Sequence, residues 1–208
     1  MSQFGNLYSQ FYDLLYSDKD YIGEVAYVDN LIKTHNKEAK TLLDLGCGTG
    51  KHDELFCDKG YFVHGVDMSE EMLRIAELRR KGKEDKLLFS QSNITELNLN
   101  KKFDVVVSLF HVMSYQNSNN ELTKAFKSAK NHLNDGGIFI FDFWYGPAVL
   151  TDLPVIRIKR LENELIKVTR IAEPILHTQE NIVDVEYDIF IENIKTKELI
   201  EKKELHKM

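Results

Sequence analysis

A short apolar run, Lys40-Thr41-Leu42-Leu43-Asp44-Leu45, is stopped by Gly46-Cys47-Gly48-Thr49-Gly50, and a helical pattern resumes at Lys51. Three glycines on alternate positions between a strand and a helix constrain the chain more than any other feature. They allow positive φ and leave bare backbone against which a ligand can press. A strand that is apolar on both faces belongs to a parallel sheet covered by helices on both sides. Further βα units must therefore exist elsewhere in the chain.

They can be read in order. Tyr21, Val25, Val28 and Ile32 draw one apolar stripe, which predicts a helix over 20–34 before the first strand. Leu55 and Phe56 sit on a helical spacing within 51–58, ended by Lys59-Gly60. Tyr61 to Val66 reads as the second strand, closed by Asp67, and Ser69 as an N-cap with Glu70 and Glu71 in the first turn. Leu87 to Ser90 reads as a third strand and Phe103 to Phe110 as a central one. Leu122, Ala125, Phe126, Ala129 and Leu133 share a helical face, Asn134-Asp135-Gly136-Gly137 breaks the chain, and Ile138 to Phe143 reads as a fifth strand. Strands alternating with helices predict a doubly wound α/β sheet. From Val155 onward only alternating, β-branched segments remain, chiefly Glu164 to Ile171 and Ile182 to Glu192, which read as antiparallel ribbons with one wet face. Pro147 and Pro154 bracket the change.

Composition narrows the class. With 208 residues, 43% of them hydrophobic and 29% charged, the chain can bury a real core. A net charge of −6 argues against a nucleic-acid surface, which is usually basic. No apolar stretch approaches the roughly 20 residues of a spanning helix, and Met1 to Asn6 has no signal-peptide character, so the expected location is cytoplasmic. Cys47 and Cys57 form neither a disulfide framework nor a paired metal motif, no metal is implied, and Cys47 reads as a small filler between glycines.

The dinucleotide fingerprint spaces its glycines G-x-G-x-x-G, whereas here the third glycine comes one place early and Lys51 stands where the fingerprint wants glycine. An NAD-dependent oxidoreductase is thus the poorer reading. Asp44-Leu45-Gly46-Cys47-Gly48-Thr49-Gly50 instead resembles motif I of the class I S-adenosylmethionine (SAM) dependent methyltransferases. Val66-Asp67-Met68-Ser69 is similar to the end of their second strand, and Asp67 follows Gly46 by 21 residues. The resemblance implies that Asp67 holds the two ribose hydroxyls, as a carboxylate can, and that Met68 flanks the adenine. Ser92, Asn93 and Ile94 stand where many of these enzymes have an adenine-contacting acid, and Asn93 departs from that pattern. Leu109 and Phe110 end a segment like motif IV, which passes beside the methionine portion of the cofactor.

Two further segments are similar to the sugar N,N-dimethyltransferases of deoxyaminosugar (macrolide) biosynthesis. They are Phe11-Tyr12-Asp13-Leu14-Leu15-Tyr16 with Lys19-Asp20-Tyr21, and Ser108 to Tyr115 with Phe143-Trp144-Tyr145-Gly146-Pro147. The resemblance implies a Rossmann-like SAM-binding domain over 38–147, an N-terminal helical segment over 1–37, and a β-rich acceptor-covering or dimerisation segment over 148–208. It implies methyl transfer from SAM to a small polar acceptor, most plausibly the amine of an aminosugar or its nucleotide-linked form. A small-molecule O-methyltransferase and a SAM-binding protein without turnover are the alternatives.

The cofactor residues it points to are Asp44, Gly46, Cys47, Gly48, Gly50, Asp67, Met68, Ser92, Asn93, Ile94, Leu109, Phe110 and Tyr12, the last lying over the methionine carboxylate. His111 is the candidate base, with Tyr12 beside the reaction, while Tyr115 and Trp144 are candidate walls of the acceptor pocket. His52 sits too far back to act. The family's sheet continues with another helix and an antiparallel hairpin over the fifth strand, and after Phe143 neither can be read. A bare apolar edge is a pairing template, so the expected partner is a second copy, through the fifth strand or the tail, burying at least about 1,000 Å².

Overall fold

Asp20 caps helix α1 (Tyr21–His35), its side chain accepting from Gly23 N. Val25, Val28 and Ile32 on this helix pack with Leu42, Phe56, Val63 and Val105. These residues belong to the computed structural model of the chain, which describes residues 11, 12 and 14–208. It divides into two compact units, one of Asp20–Phe143 and one of Trp144–Met208 with the described residues before Asp20. The division thus places α1 in the α/β unit.

That unit runs β1 (Thr41–Leu45), α2 (Lys51–Asp58), β2 (Phe62–Asp67), α3 (Glu70–Arg79), β3 (Leu87–Gln91), β4 (Phe103–Ser108), α4 (Asn119–Asn131) and β5 (Leu133–Phe141). The sheet order is β3-β2-β1-β4-β5, every pairing parallel. Successive residues of β1 face opposite ways: Leu42 joins the cluster under α1 and α2, while Leu43 and Leu45 join Val66, Phe103, Val106 and Ala125 on the other face. Strand order reverses across β1, between β2 and β4, and the crevice beyond the carboxyl ends of such strands is where ligands of this fold class bind. Ser69 caps α3 as its sequence suggests, accepting from Met72 N at 3.3 Å.

Beyond end shifts of one or two residues, including β5 ending at Phe141 rather than Phe143, two departures from the sequence expectation matter, and the second moves Leu133 from a helical face into β5. Strand β4 ends at Ser108 rather than Phe110, because Phe110 and His111 turn into the left-handed region at φ 64° and 59°. The stretch 134–137 does not break the chain but belongs to β5. Leu133 pairs with Phe103, the register then shifts, and pairing resumes at Val105 with Ile138, Gly136 absorbing the irregularity at φ +77°. Phe126 is 38% exposed and lies edge-on to Phe139 and Phe141 of β5.

Asp104 fastens the sheet's amino-terminal side. Its Oδ2 accepts from Lys40 N, Thr41 N and Thr41 Oγ1 at 2.9–3.0 Å, and its Oδ1 from Asn134 Nδ2 at 2.9 Å. Partial burial would raise this carboxyl, but the hydrogen bonds outweigh it and hold the group below its usual range. A depressed carboxylate stabilises the fold above its unfolded pKa, and that contribution is lost as pH falls through the folded value. Asp104→Ala is expected to lose roughly 2–3 kcal/mol in urea unfolding at pH 7. The gap from the parent protein should narrow on acidification to pH 3.

In the other unit, α5 (Gly146–Thr151) precedes β6 (Arg157–Glu162), β7 (Ile166–His177), β8 (Ile182–Asn193) and β9 (Leu199–Lys207), an antiparallel sheet in that order. Trp144, Val149, Leu176, Tyr187 and Met208 pack around Ala172, Val183 and Val185. The sequence reading caught the two inner strands and missed both outer ones as well as α5. Arg157–Glu162 and Leu199–Lys207 are edge strands rich in Lys, Arg and Glu, the composition that blunts an edge and hides it from a hydrophobicity search. Lys159 Nζ donates to Leu15 O and to Asp18 within the same unit. Among the described residues no helix is long and apolar enough to cross a membrane.

Candidate functional site

The glycine loop folds back over the end of β2, Gly46 N and Cys47 N both donating to Val66 O at 2.8 and 3.0 Å. Its three glycines all have positive φ, at 87°, 54° and 70°, yet they serve different ends. A Cβ on Gly46 would stand 2.5 Å from Val112, and one on Gly50 would stand 2.6 Å from Phe89 and 3.0 Å from Ala76. Those two glycines are demanded by packing. A Cβ on Gly48 would meet nothing within 4 Å, so only Gly48 presents bare backbone to open space.

Beside that space stands Asp67. Its Oδ2 accepts from Gly48 N at 2.9 Å and its Oδ1 from Ser69 N at 2.8 Å, which fixes the carboxylate between the glycine loop and the start of α3. The end of β2 is tied in turn to the end of β3. Ser92 N donates to Asp67 O at 3.0 Å, and Gln91 Nε2 donates to Met68 O at 3.0 Å. Met68, the next residue, is an apolar side chain 70% exposed. Asn93 is less open than its sequence suggests, since its Oδ1 already accepts from Thr95 N and Thr95 Oγ1, both at 2.9 Å. Any hydrogen bond it offers a ligand comes from its amide N–H groups. Ile94 is buried with Leu43 and Val66, a core residue.

At the end of β4, Leu109 is buried and Phe110 and His111 take their left-handed turn. Two consecutive non-glycine residues in that region carry strain, which persists only where surrounding structure enforces it. Asp142 does so, its Oδ1 accepting from His111 N at 2.8 Å while its Oδ2 lies 3.9 Å from His111 Nδ1. The next residue, Val112, is the one that presses on Gly46, so this turn abuts the glycine loop. Tyr115 ends the same short turn and is 40% exposed.

Two carboxyls lie beneath. Asp44 and Asp53 are buried, and among the described residues no side-chain donor reaches Asp44 Oδ1 or either oxygen of Asp53. Burial, reinforced by Asp53, pushes Asp44 well up, and burial pushes Asp53 up to about 7. Burial and the neighbouring acids also push the Cys47 thiol well above its ordinary value, which makes it a filler rather than a nucleophile. His52 meets Glu24 Oε2 at 2.8 Å and lies edge-on to Tyr21, a structural histidine.

Tyr12 and Trp144 belong to the other unit. Tyr12 lies edge-on to Phe11 at 5.9 Å and tilted against Tyr16 at 5.4 Å, and Trp144 packs on the β-sheet cluster already described. Asp13 lies outside the described residues. Sequence reasoning did not single out Asp53 or Asp142. Nothing local marks them, since acids are ordinary in the first turn of a helix and beyond a strand.

An acid is held against a glycine loop at the point where the order of a parallel sheet reverses, the position at which ligands of this fold class bind. Residues 42–137 match the family model described as a methyltransferase domain. It is 36% identical over 143 residues to the dTDP-3-amino-3,4,6-trideoxy-alpha-D-glucopyranose N,N-dimethyltransferase of Streptomyces venezuelae, covering 68% of this chain and 59% of that protein. The chain therefore spans less than two thirds of this relative's length. Among solved structures it is similar to Streptomyces venezuelae DesVI, with a TM-score of 0.80 and 27% identity over 100% of this chain and 84% of the other. A SAM-dependent methyltransferase from Clostridium acetobutylicum gives the same TM-score and identity, over 97% and 80%.

Proposed function

We propose that this chain is a SAM-dependent methyltransferase acting on the amine of an aminosugar, free or nucleotide-linked. The observation that carries the reading is the open space over Gly48 beside the anchored carboxylate of Asp67. The residues fit the cofactor: the backbone at Gly48 faces open space, Asp67 suits a vicinal diol, the exposed Met68 supplies an apolar surface, and Asp44, whose Oδ1 no described donor reaches, suits a cationic amino group. Leu109 and Phe110 border the same loop through Val112. SAM supplies an electrophilic methyl group on a sulfonium. The protein's work is then to orient two reactants and exclude water.

An amine attacks only when neutral, so a proton acceptor helps. His111 is placed for this, its backbone held by Asp142 and the same carboxylate within ion-pair range of the ring it would steady once protonated. Tyr115, as an acceptor wall, completes the proposal. The test is acceptor-dependent formation of S-adenosylhomocysteine with a dTDP-linked aminosugar, the substrate class in the S. venezuelae relative's name. His111→Ala is expected to lower turnover by about 10²-fold with cofactor affinity nearly unchanged. Unaltered turnover from pH 6 to 9 would leave His111 a loop residue. Formation from a hydroxyl acceptor alone would favour O-methylation, and binding without turnover would favour a cofactor-binding protein.

We infer further that the enzyme is cytoplasmic and a homodimer. β5 ends its sheet, and Phe139, Phe141 and Phe143 form a row there in which Phe143 is 57% exposed. Sedimentation should give a dimer at micromolar concentration; a monomer would overturn this.

A further inference from the structure

We propose that Asp53 shares a single proton with Asp44, and that a cationic amino group docking beside the glycine loop draws the ionised form onto Asp44 while the proton stays on Asp53. Asp53 is then a positioning residue for cofactor binding, acting through Asp44. This rests on the SAM-binding reading above and deepens it.

The backbone places the pair. Asp44 lies opposite Gly65 in the β1–β2 register, and Asp53 from α2 reaches over that glycine, its Oδ1 standing 2.7 Å from where a Cβ on Gly65 would be. Gly65 is therefore the gap in β2 that admits the Asp53 carboxyl beside Asp44. Asp44 has the same strand parity as Leu42 and so faces α1 and α2, the layer from which Asp53 comes. Both side chains are at or below 1% exposure, and among the described residues no side-chain donor reaches Asp44 Oδ1 or either oxygen of Asp53, whose only polar support is its own backbone and Asp44. A buried carboxyl oxygen without a donor is costly, and two ionised carboxylates side by side are costlier. A proton held between them satisfies both, as in other buried carboxyl pairs.

The surroundings do not offer another solution. Asp67 from β2 and Asp142 beyond β5 both push Asp44 further towards its protonated form, and the Cys47 thiol that follows β1 is held neutral. On α2, Lys51 is engaged with Glu54, and on its buried side His52 meets Glu24 of α1. None of the strongest influences on Asp44 is a cation. The missing positive charge is one that a ligand brings. In acid, where both carboxyls are protonated, one proton must leave before the ammonium can be paired; above neutrality the proton only shifts to Asp53.

The experiment is calorimetric titration of the full chain with S-adenosylhomocysteine, which carries the amino-acid group, and with 5′-methylthioadenosine, which lacks it, between pH 5.5 and 8.5. With a midpoint near the value of about 7 that burial gives Asp53, the Kd for S-adenosylhomocysteine should rise about 25-fold from pH 7.5 to 5.5. Buffers of different ionisation enthalpy should report about one proton released near pH 5.5. Methylthioadenosine should show neither effect. Asp53→Asn should flatten the S-adenosylhomocysteine profile, because an amide can donate to Asp44 and leave it ionised; a purely structural Asp53 would shift Kd equally at every pH. A flat profile for the parent protein, or a slope retained in Asp53→Asn, overturns the proposal. Should that variant not fold, the contrast between the two ligands on the parent protein decides. Failure of both ligands to bind at any pH would instead overturn the SAM reading itself.

Discussion

Asp67→Ala is expected to weaken SAM binding by roughly 30- to 150-fold, the equivalent of about 2–3 kcal/mol. The carboxylate is built to be rigid before any ligand arrives, since Gly48 N and Ser69 N hold one oxygen each at 2.9 and 2.8 Å. Each oxygen retains a further lone pair, so one carboxylate can accept from both hydroxyls of a ribose while keeping its backbone partners. Removing it loses those contacts and also frees the Gly48 amide and the first turn of α3. Asp67→Asn separates the two effects: the amide oxygen can keep one backbone partner, but the charge is gone and one acceptor becomes a donor. Calorimetry should find the asparagine variant between the parent protein and the alanine variant. An unchanged dissociation constant in Asp67→Ala would remove this residue from the site.

Gly48→Val should abolish measurable SAM binding, with a loss of at least about 100-fold. Two causes act together. The backbone there sits at φ +54°, where a β-branched residue is strained, and the valine methyls would occupy the space above the loop. Because nothing lies within 4 Å of the site of that Cβ, Gly48→Ala should fold, losing only the roughly 1–2 kcal/mol of left-handed strain. Gly50→Ala should behave in the opposite way. Its Cβ would drive into the Phe89 ring at 2.6 Å, so the damage should appear in the melting temperature rather than in binding by the molecules that stay folded. Equal losses of stability in Gly48→Ala and Gly50→Ala would contradict this division of labour among the glycines.

Residue order alone determined the doubly wound unit, because β1, β4 and the second half of β5 are dense apolar runs and helical stripes on a period of 3.6 alternate with the strands. It also determined where the ligand end of the sheet lies, since glycines and a strand-terminal acid announce themselves by type and spacing. The polar edge strands Arg157–Glu162 and Leu199–Lys207 escaped, their stability coming from hydrogen bonds to inner neighbours that no local pattern records. Phe110 reads as the end of a strand, and only Asp142, 31 residues from His111, pins the turn that takes it and His111 out of the sheet. The three glycines look alike in the sequence, and only their neighbours Val112, Phe89 and empty space tell packing from binding. Asp53 is the sharpest case. In sequence it is an ordinary acid at the start of a helix; the pairing of β1 with β2, which sets Gly65 beside Asp44, turns it into half of a buried carboxyl pair. Periodicity is a property of neighbours along the chain and can be read from it, whereas proton sharing and close approach depend on distances between residues that only the folded sheet brings together.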